Sequence, residues 1–216
     1  MKKENLPQHA KTILKILRKE FPEAATALHY SNPLQLLVAV ILSAQCTDVR
    51  VNLVTPNLFK KYKTAQDFSN ANISELEELI RSTGFYKNKA KNIIECCKAL
   101  VEKHNGKIPQ TMEELTALAG VGRKTANCVL GAIYNVAYGV VVDTHVKRIS
   151  YRLGLTTHTN PEKIEQDLME ILPQKEWYYF SNAIILHGRK TCIARKPKCD
   201  VCVMNMLCPS KRLQKF

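Results

Sequence analysis

The fold is decided by Leu118-Ala119-Gly120-Val121-Gly122-Arg123-Lys124-Thr125-Ala126-Asn127, where two short helices meet at a glycine turn. Thr111 and Glu114 have the spacing of a capping box and predict the start of the first helix. Apolar residues at helical spacing predict that the second helix is buried on one side: Ala126, Val129, Leu130 and Ile133. Gly120 and Gly122 permit backbone angles and close approaches that a side chain would forbid. The turn can therefore bring free amide groups against a ligand.

That ligand is predicted to be an anion, because the N–H groups and the dipole at a helix start favour negative charge. Phosphate is the first candidate, although Gly-x-Gly between helices is also explained by a tight turn alone. Lys124 falls in the first helical turn, where the dipole disfavours a cation, and Arg123 adds like charge beside it. Both effects favour the free amine, which is the nucleophilic form of lysine. The alternative is an ordinary solvated lysine.

A second helix start lies in Val141-Val142-Asp143-Thr144-His145. Asp143 precedes an amphipathic helix and is predicted to be its N-cap, a role that is compatible with catalysis. His145 is interpreted as a structural histidine, with membership of a site as the alternative.

Four of the eight cysteines crowd near the end of the chain, in the pattern Cys192-x6-Cys199-x2-Cys202-x5-Cys208. Four thiolates within a short loop can wrap one metal centre, and they serve zinc and iron–sulfur clusters alike. The other four are predicted to be inert core residues on apolar helix faces: Cys46, Cys96, Cys97 and Cys128.

The charge balance predicts a polyanionic partner. The 216 residues carry a net charge of +13, which favours nucleic acid first and an anionic membrane second. The longest apolar run, residues 36–42, is far below the ~20 residues of a spanning helix, and residues 1–7 show no apolar signal region. We therefore expect an intracellular protein without a membrane partner.

Residues 120–127, followed by Val142-Asp143-Thr144-His145, resemble the helix-hairpin-helix and catalytic aspartate of the endonuclease III family of DNA glycosylases and abasic-site lyases. The resemblance covers nearly the whole chain. It implies that Lys124 and Asp143 are catalytic and that Gly120, Gly122 and Arg123 bind DNA. It also decides between the metals, because the cysteine spacing matches that of a [4Fe–4S] cluster held by four ligands: Cys192, Cys199, Cys202 and Cys208.

Two further DNA-binding residues follow from the resemblance. Gln45 matches a glutamine that fills the gap left by an extruded base, although a polar turn between helices also explains it. Phe85 follows Gly84 at the position of a wedge residue that is commonly leucine. An aromatic side chain can act as a wedge in DNA, and an ordinary core residue is the alternative.

The expected fold is all-α, since no segment shows a convincing strand alternation. The resemblance implies a helical barrel-like domain at 24–138, with the hairpin at about 111–136. An iron–sulfur cluster domain is expected from residues 1–23 together with 139–216, with the cluster loop at 192–208. Within these domains, Ser74 and Glu77 predict a capping box, and Gly188 is expected to end the last long helix, 177–187.

The resemblance implies a bifunctional enzyme of base excision repair. It would remove oxidised or damaged pyrimidines from double-stranded DNA and cleave abasic sites on the 3′ side by β-elimination through a lysine Schiff base. We expect a monomer in a bacterial-type cytoplasm, associated with the nucleoid through DNA. The alternatives are a monofunctional glycosylase of the adenine-mismatch type and a non-catalytic iron–sulfur DNA-binding protein. Ala119 departs from the family pattern, which commonly has proline there, and the segment 134–142 is about one residue longer.

Overall fold

The computed structural model describes residues 5–213, and within that range the chain forms helices and turns without a β-strand. The all-α prediction is therefore confirmed. The chain divides into two compact units, Ala27–Tyr134 and a second unit made from residues 5–26 and 135–213. In the part of the chain that is described, no helix combines the length and the apolar character needed to cross a bilayer.

The α-helices are, in chain order, α1 (Leu6–Glu20), α2 (Pro33–Ser43), α3 (Asp48–Lys61), α4 (Ala65–Ser69), α5 (Ile73–Ile80), α6 (Tyr86–His104), α7 (Met112–Thr116), α8 (Arg123–Tyr134), α9 (Thr144–Arg152), α10 (Pro161–Ile171) and α11 (Trp177–Lys190). Short 3-10 helices are Arg81–Thr83, Gln174–Glu176, Cys199–Val201 and Pro209–Leu213.

Helix α2 is the centre of the unit Ala27–Tyr134. It is apolar on nearly all sides, and it packs against α3, α6 and α8. Its start is set by Asn32, whose side chain accepts a hydrogen bond from the backbone N–H of Gln35 at 3.0 Å, and by Pro33 in the first helical position. Because α2 is buried all round, the turn that follows it is carried on a rigid element.

The second unit has its own core, formed by α1, α9, α10 and α11. Among its fully buried side chains are Ile13, Leu17, Leu168, Phe180 and Ile184. Helix α11 packs against both α1 and α9, so it supports the start of α9 and the loop that follows α11.

Two predicted helix signals are wrong. Asn72, not Ser74, caps α5, because its side chain accepts hydrogen bonds from the N–H groups of Ser74 at 3.0 Å and Glu75 at 3.2 Å. Gly188 does not end α11, which continues to Lys190. A methyl group at Gly188 would lie 2.5 Å from Nδ1 of His145, so this glycine is explained by close packing of α9 on α11.

Candidate nucleic-acid interface and metal centre

The glycine turn joins α7 to α8. Thr111 caps α7 and accepts from the N–H of Glu114 at 3.3 Å, which confirms the predicted cap. The turn is anchored by the buried side chains of Leu118 and Val121, whose backbone groups form a 3.2 Å hydrogen bond. Gly122 is exposed. The turn therefore offers the backbone at the start of α8 to solvent while its apolar residues hold it to the core.

The two glycines of the turn serve different purposes. Gly120 has a φ of +74°, and a methyl group there would lie 2.8 Å from Cβ of Asn92 on α6. Gly122 has open space around it, with nothing within 4 Å of such a methyl group. Gly120 is thus required by conformation and packing, whereas Gly122 leaves room for a ligand to approach the backbone.

Lys124 is exposed in the first turn of α8, as predicted. Its helix is anchored by Ala126, Val129 and Leu130, which are fully buried. One turn further on, burial raises the pKa of the Cys128 thiol to about 11; Asp48 reinforces this rise and Lys124 opposes it. The Lys124 amine is therefore presented to solvent from a rigid helix.

Gln45 and Phe85 share an unusual backbone conformation. Gln45, in the turn after α2, has a φ of 52°, and Phe85, immediately before α6, has a φ of 48°. Non-glycine residues rarely adopt this left-handed region, and such residues concentrate at functional sites. The Phe85 side chain is 63% exposed, so the alternative that it is a core residue is wrong.

Asp143 is the N-cap of α9, as predicted. Its Oδ1 atom accepts hydrogen bonds from the backbone N–H groups of His145 and Val146, both at 2.8 Å. Both bonds use the same oxygen, so Oδ2 takes no part in the cap. Asp143 belongs to the second unit, and Lys124 belongs to Ala27–Tyr134.

His145 has the surroundings of a structural histidine. Its Nδ1 atom lies 3.2 Å from Nη2 of Arg148, and its ring packs against Gly188. Burial lowers the pKa of His145, partly offset by Asp143 and reinforced by Arg148 and Arg189. The ring is consequently favoured in its neutral form within the contact between α9 and α11.

The four C-terminal cysteines line one cavity of about 30 Å³. All four are half-buried. Within residues 5–213, no group of three or more His, Cys, Asp or Glu side chains is arranged to hold a single metal ion, and the four thiols instead line the wall of this cavity. Burial raises the pKa of both Cys199 and Cys202, and the neighbouring cysteines raise them further. Four soft sulfur donors around one cavity fit an iron–sulfur cluster, whose positive irons stabilise thiolates.

Helix α9 contacts this cavity through Arg152. Its Nη1 atom lies 3.4 Å from Sγ of Cys192, and its backbone oxygen accepts a 3.3 Å hydrogen bond from Cys208. Exposed basic side chains follow in the same loop: Arg195, Lys196 and Lys198. The loop is therefore basic on its surface and tied to α9 beneath.

Sequence reasoning missed Lys89, which is only 5% exposed although it belongs to a basic stretch. A signal was present, because Lys89 shares the helical spacing of the buried Ile93, Cys96 and Leu100. It also missed Arg152, for which the spacing of the cysteines gave no signal.

The family model of the HhH-GPD superfamily base excision DNA repair protein matches residues 38–174, which include the exposed hairpin. The chain therefore belongs to the class of helix-hairpin-helix proteins of DNA base excision repair. The model of the iron-sulfur binding domain of endonuclease III matches residues 192–208.

Individual relatives identify the family within this class. Endonuclease III of Synechocystis sp. is 56% identical over 203 residues, covering 94% of this chain and 93% of the relative. Endonuclease III of Escherichia coli K12 is 42% identical over 202 residues, covering 92% and 94%. The structure of a trapped endonuclease III–DNA covalent intermediate superposes with a TM-score of 0.88 at 43% identity, covering 96% of this chain and 99% of that one. The chain belongs to the endonuclease III family.

The protein is thus a DNA glycosylase and abasic-site lyase of base excision repair. It binds DNA and carries a [4Fe–4S] cluster. These matches do not favour either alternative, a monofunctional glycosylase or a non-catalytic iron–sulfur DNA-binding protein. A thermostable thymine-DNA glycosylase shares the fold, with a TM-score of 0.85 at 20% identity.

Proposed function

We propose that the enzyme acts on oxidised or ring-damaged pyrimidines in double-stranded DNA, and that Lys124 is its nucleophile. The observation that carries the proposal is the exposed Lys124 amine in the first turn of α8, beside the open backbone of Gly122. A helix start favours an anion, which suits binding of a phosphate beside this amine.

DNA is held chiefly by its phosphates. Backbone amides of Gly120 and Gly122, with the side chain of Arg123, approach the sugar-phosphate backbone with little sequence preference. The net charge of +13 adds attraction that weakens as salt is raised. Extruding the nucleotide costs a few kcal/mol, and less where damage has weakened pairing or stacking, so part of the selectivity belongs to the DNA.

The chemistry uses the two catalytic residues. The Lys124 amine attacks C1′, the bond from C1′ to the base breaks with its electron pair going to the base, and the base takes up a proton. Opening of the sugar ring leaves a Schiff base between Lys124 and C1′. Loss of a C2′ proton then expels the 3′ oxygen by β-elimination. Asp143 stabilises positive charge at the sugar and assists the proton transfers.

Gln45 and Phe85 fill the gap that the extruded nucleotide leaves in the duplex. Their exposure and left-handed backbone support this role, because both side chains are presented outward at turns. The [4Fe–4S] cluster would be held by Cys192, Cys199, Cys202 and Cys208 and would order the basic loop around them, a structural role. Ligation by four residues of one loop restrains Arg195, Lys196 and Lys198 against a phosphate backbone.

The proposed domains are 24–138, with the hairpin at about 111–136, and 1–23 together with 139–216. The separate cores of the two compact units support a division into two domains, and the unit bounds at 27 and 134 lie within a few residues of the proposed ones. Residues 1–4 and 214–216 of the second domain lie outside the described residues.

We also propose that the protein is a monomer, and that it works in a bacterial-type cytoplasm, where its substrate is the DNA of the nucleoid. Light scattering in solution tests the monomer.

The deciding experiment is a borohydride trap on a duplex with one abasic site. Wild type should give a covalent protein–DNA band, Lys124→Ala should give none, and Lys98→Ala, which removes an exposed charge elsewhere, should trap normally. A band in Lys124→Ala would refute the nucleophile. Release of base from duplexes with one oxidised pyrimidine or one oxidised purine tests the substrate class, and equal rates on both would refute it.

A further inference from the structure

Lys89 of α6 is a buried lysine that the proposed chemistry does not use. Its side chain lies inside the unit Ala27–Tyr134, and its Nζ atom donates to the carbonyl oxygens of Leu42 and Thr83, both at 2.8 Å. Burying an ammonium group is costly unless its donors are satisfied. These two bonds satisfy two of its three N–H donors, and burial lowers the pKa of Lys89.

Both acceptors are carbonyl groups at helix ends. Leu42 is in the last turn of α2, and Thr83 ends the 3-10 helix Arg81–Thr83. Carbonyls at the end of a helix have no partner within it, and the helix dipole gives them partial negative charge. One ammonium group thus joins the ends of two segments that are 41 residues apart in the sequence.

Each segment leads directly to one of the proposed base-gap residues. Gln45 is three residues beyond Leu42, and Phe85 is two residues beyond Thr83. Both are non-glycine residues with positive φ, a conformation that costs roughly 1–3 kcal/mol and persists only where the surroundings impose it. Lys89 is the side chain that bonds to the backbone just before both turns.

We propose that Lys89 is a positioning residue that sets the separation of Gln45 and Phe85, so that both side chains enter the DNA stack together. The inference rests on the proposed function for the roles of these two residues. It requires no contact between Lys89 and DNA, which agrees with its burial. A side chain without an N–H donor at position 89, such as methionine, would leave the two carbonyl groups unpaired and remove the link between the two turns.

The test is a mutant cycle read out by binding to an uncleavable abasic-site analogue and to the undamaged duplex. The variants are Lys89→Met, the pair Gln45→Ala with Phe85→Ala, and all three together. Lys98→Met is the matched control, because Lys98 is an exposed lysine of the same helix. Urea unfolding of each variant gives the folded fraction, and Lys89→Gln, which keeps a donor, replaces Lys89→Met if the latter does not fold.

We expect Lys89→Met to weaken binding of the abasic analogue about tenfold and of undamaged DNA by no more than about twofold. In the background of the pair, the same change should have less than about a twofold effect, since the residues it positions are gone. A tenfold loss of binding caused by Lys89→Met in the background of the pair would overturn the positioning role of Lys89. An equal loss on both duplexes would do the same, and neither result would contradict the proposed function. Normal binding by the pair would overturn the roles of Gln45 and Phe85, and this inference with them.

Discussion

Arg152 donates a hydrogen bond from Nη1 to Sγ of Cys192, with 3.4 Å between the two atoms. The same guanidinium group donates to the backbone oxygens of Ile193 at 3.0 Å and Ala194 at 2.9 Å. One side chain of α9 therefore satisfies three acceptors at the start of the cysteine loop. A positive charge beside a thiolate also stabilises its charged form.

Replacing Arg152 with Gln should weaken retention of the cluster. The change removes a charge-assisted hydrogen bond to sulfur and leaves backbone oxygens unpaired, at a cost of about 1–3 kcal/mol. Iron content after purification should fall, and iron should be lost faster to a chelator, both followed by visible absorbance. Arg195→Gln, an exposed residue of the same loop, is the control. Equal iron loss in the two variants would show that Arg152 does not support the cluster.

Asp143 has two roles, as the N-cap of α9 and as a proposed catalytic carboxylate. Two substitutions distinguish these roles. Asp143→Asn keeps an oxygen that can accept from His145 and Val146, so the free energy of unfolding should stay within about 0.5 kcal/mol of wild type, whereas Asp143→Ala should lose about 0.5–2 kcal/mol. Activity on abasic DNA should fall strongly in both. Urea unfolding and strand-cleavage rates measure the two effects. Full activity in a stably folded Asp143→Asn would contradict the catalytic role.

The two hairpin glycines should respond differently to alanine. Gly120→Ala places a methyl group against Asn92 in a left-handed conformation and should cost about 1–3 kcal/mol of stability. Gly122→Ala meets open space, so its stability should change by less than about 0.5 kcal/mol. Thermal unfolding compares them. Gly122→Ala should nevertheless bind DNA less tightly if phosphate approaches this backbone, and unchanged affinity would argue against that approach.

Cys96 and Cys97 should be unreactive in the folded protein. Burial raises the pKa of Cys96 to about 12 and raises that of Cys97 further. At pH 8 the thiolate fraction of Cys96 is then about a thousandfold below that of a free cysteine, and access is blocked as well. Mass spectrometry after brief alkylation should find both unmodified, with Cys46, which is half-exposed, as the internal comparison. Rapid modification of Cys96 or Cys97 without unfolding would contradict this.

Local signals in the sequence predicted much of the secondary structure. Thr111 and Asp143 each cap the helix that follows them, because a cap depends on a side chain and amide groups two or three residues away. The prediction at Ser74 was wrong for the same local reason: the side chain of Asn72, two residues earlier, accepts the hydrogen bonds from the first amide groups of α5. The cysteine loop and the glycine turn are likewise compact in sequence, so their patterns were visible.

The sequence by itself determined an all-helical chain, the hairpin with Lys124 at a helix start, and a four-cysteine loop, since each is set by residues close together along the chain. Only the tertiary structure decided that Lys89 is buried between two helix ends, that Phe85 is exposed and that Gly188 lies inside α11. Each of these depends on segments distant in sequence. Burial and close packing are properties of which surfaces meet, and spacing along one helix does not specify its neighbour.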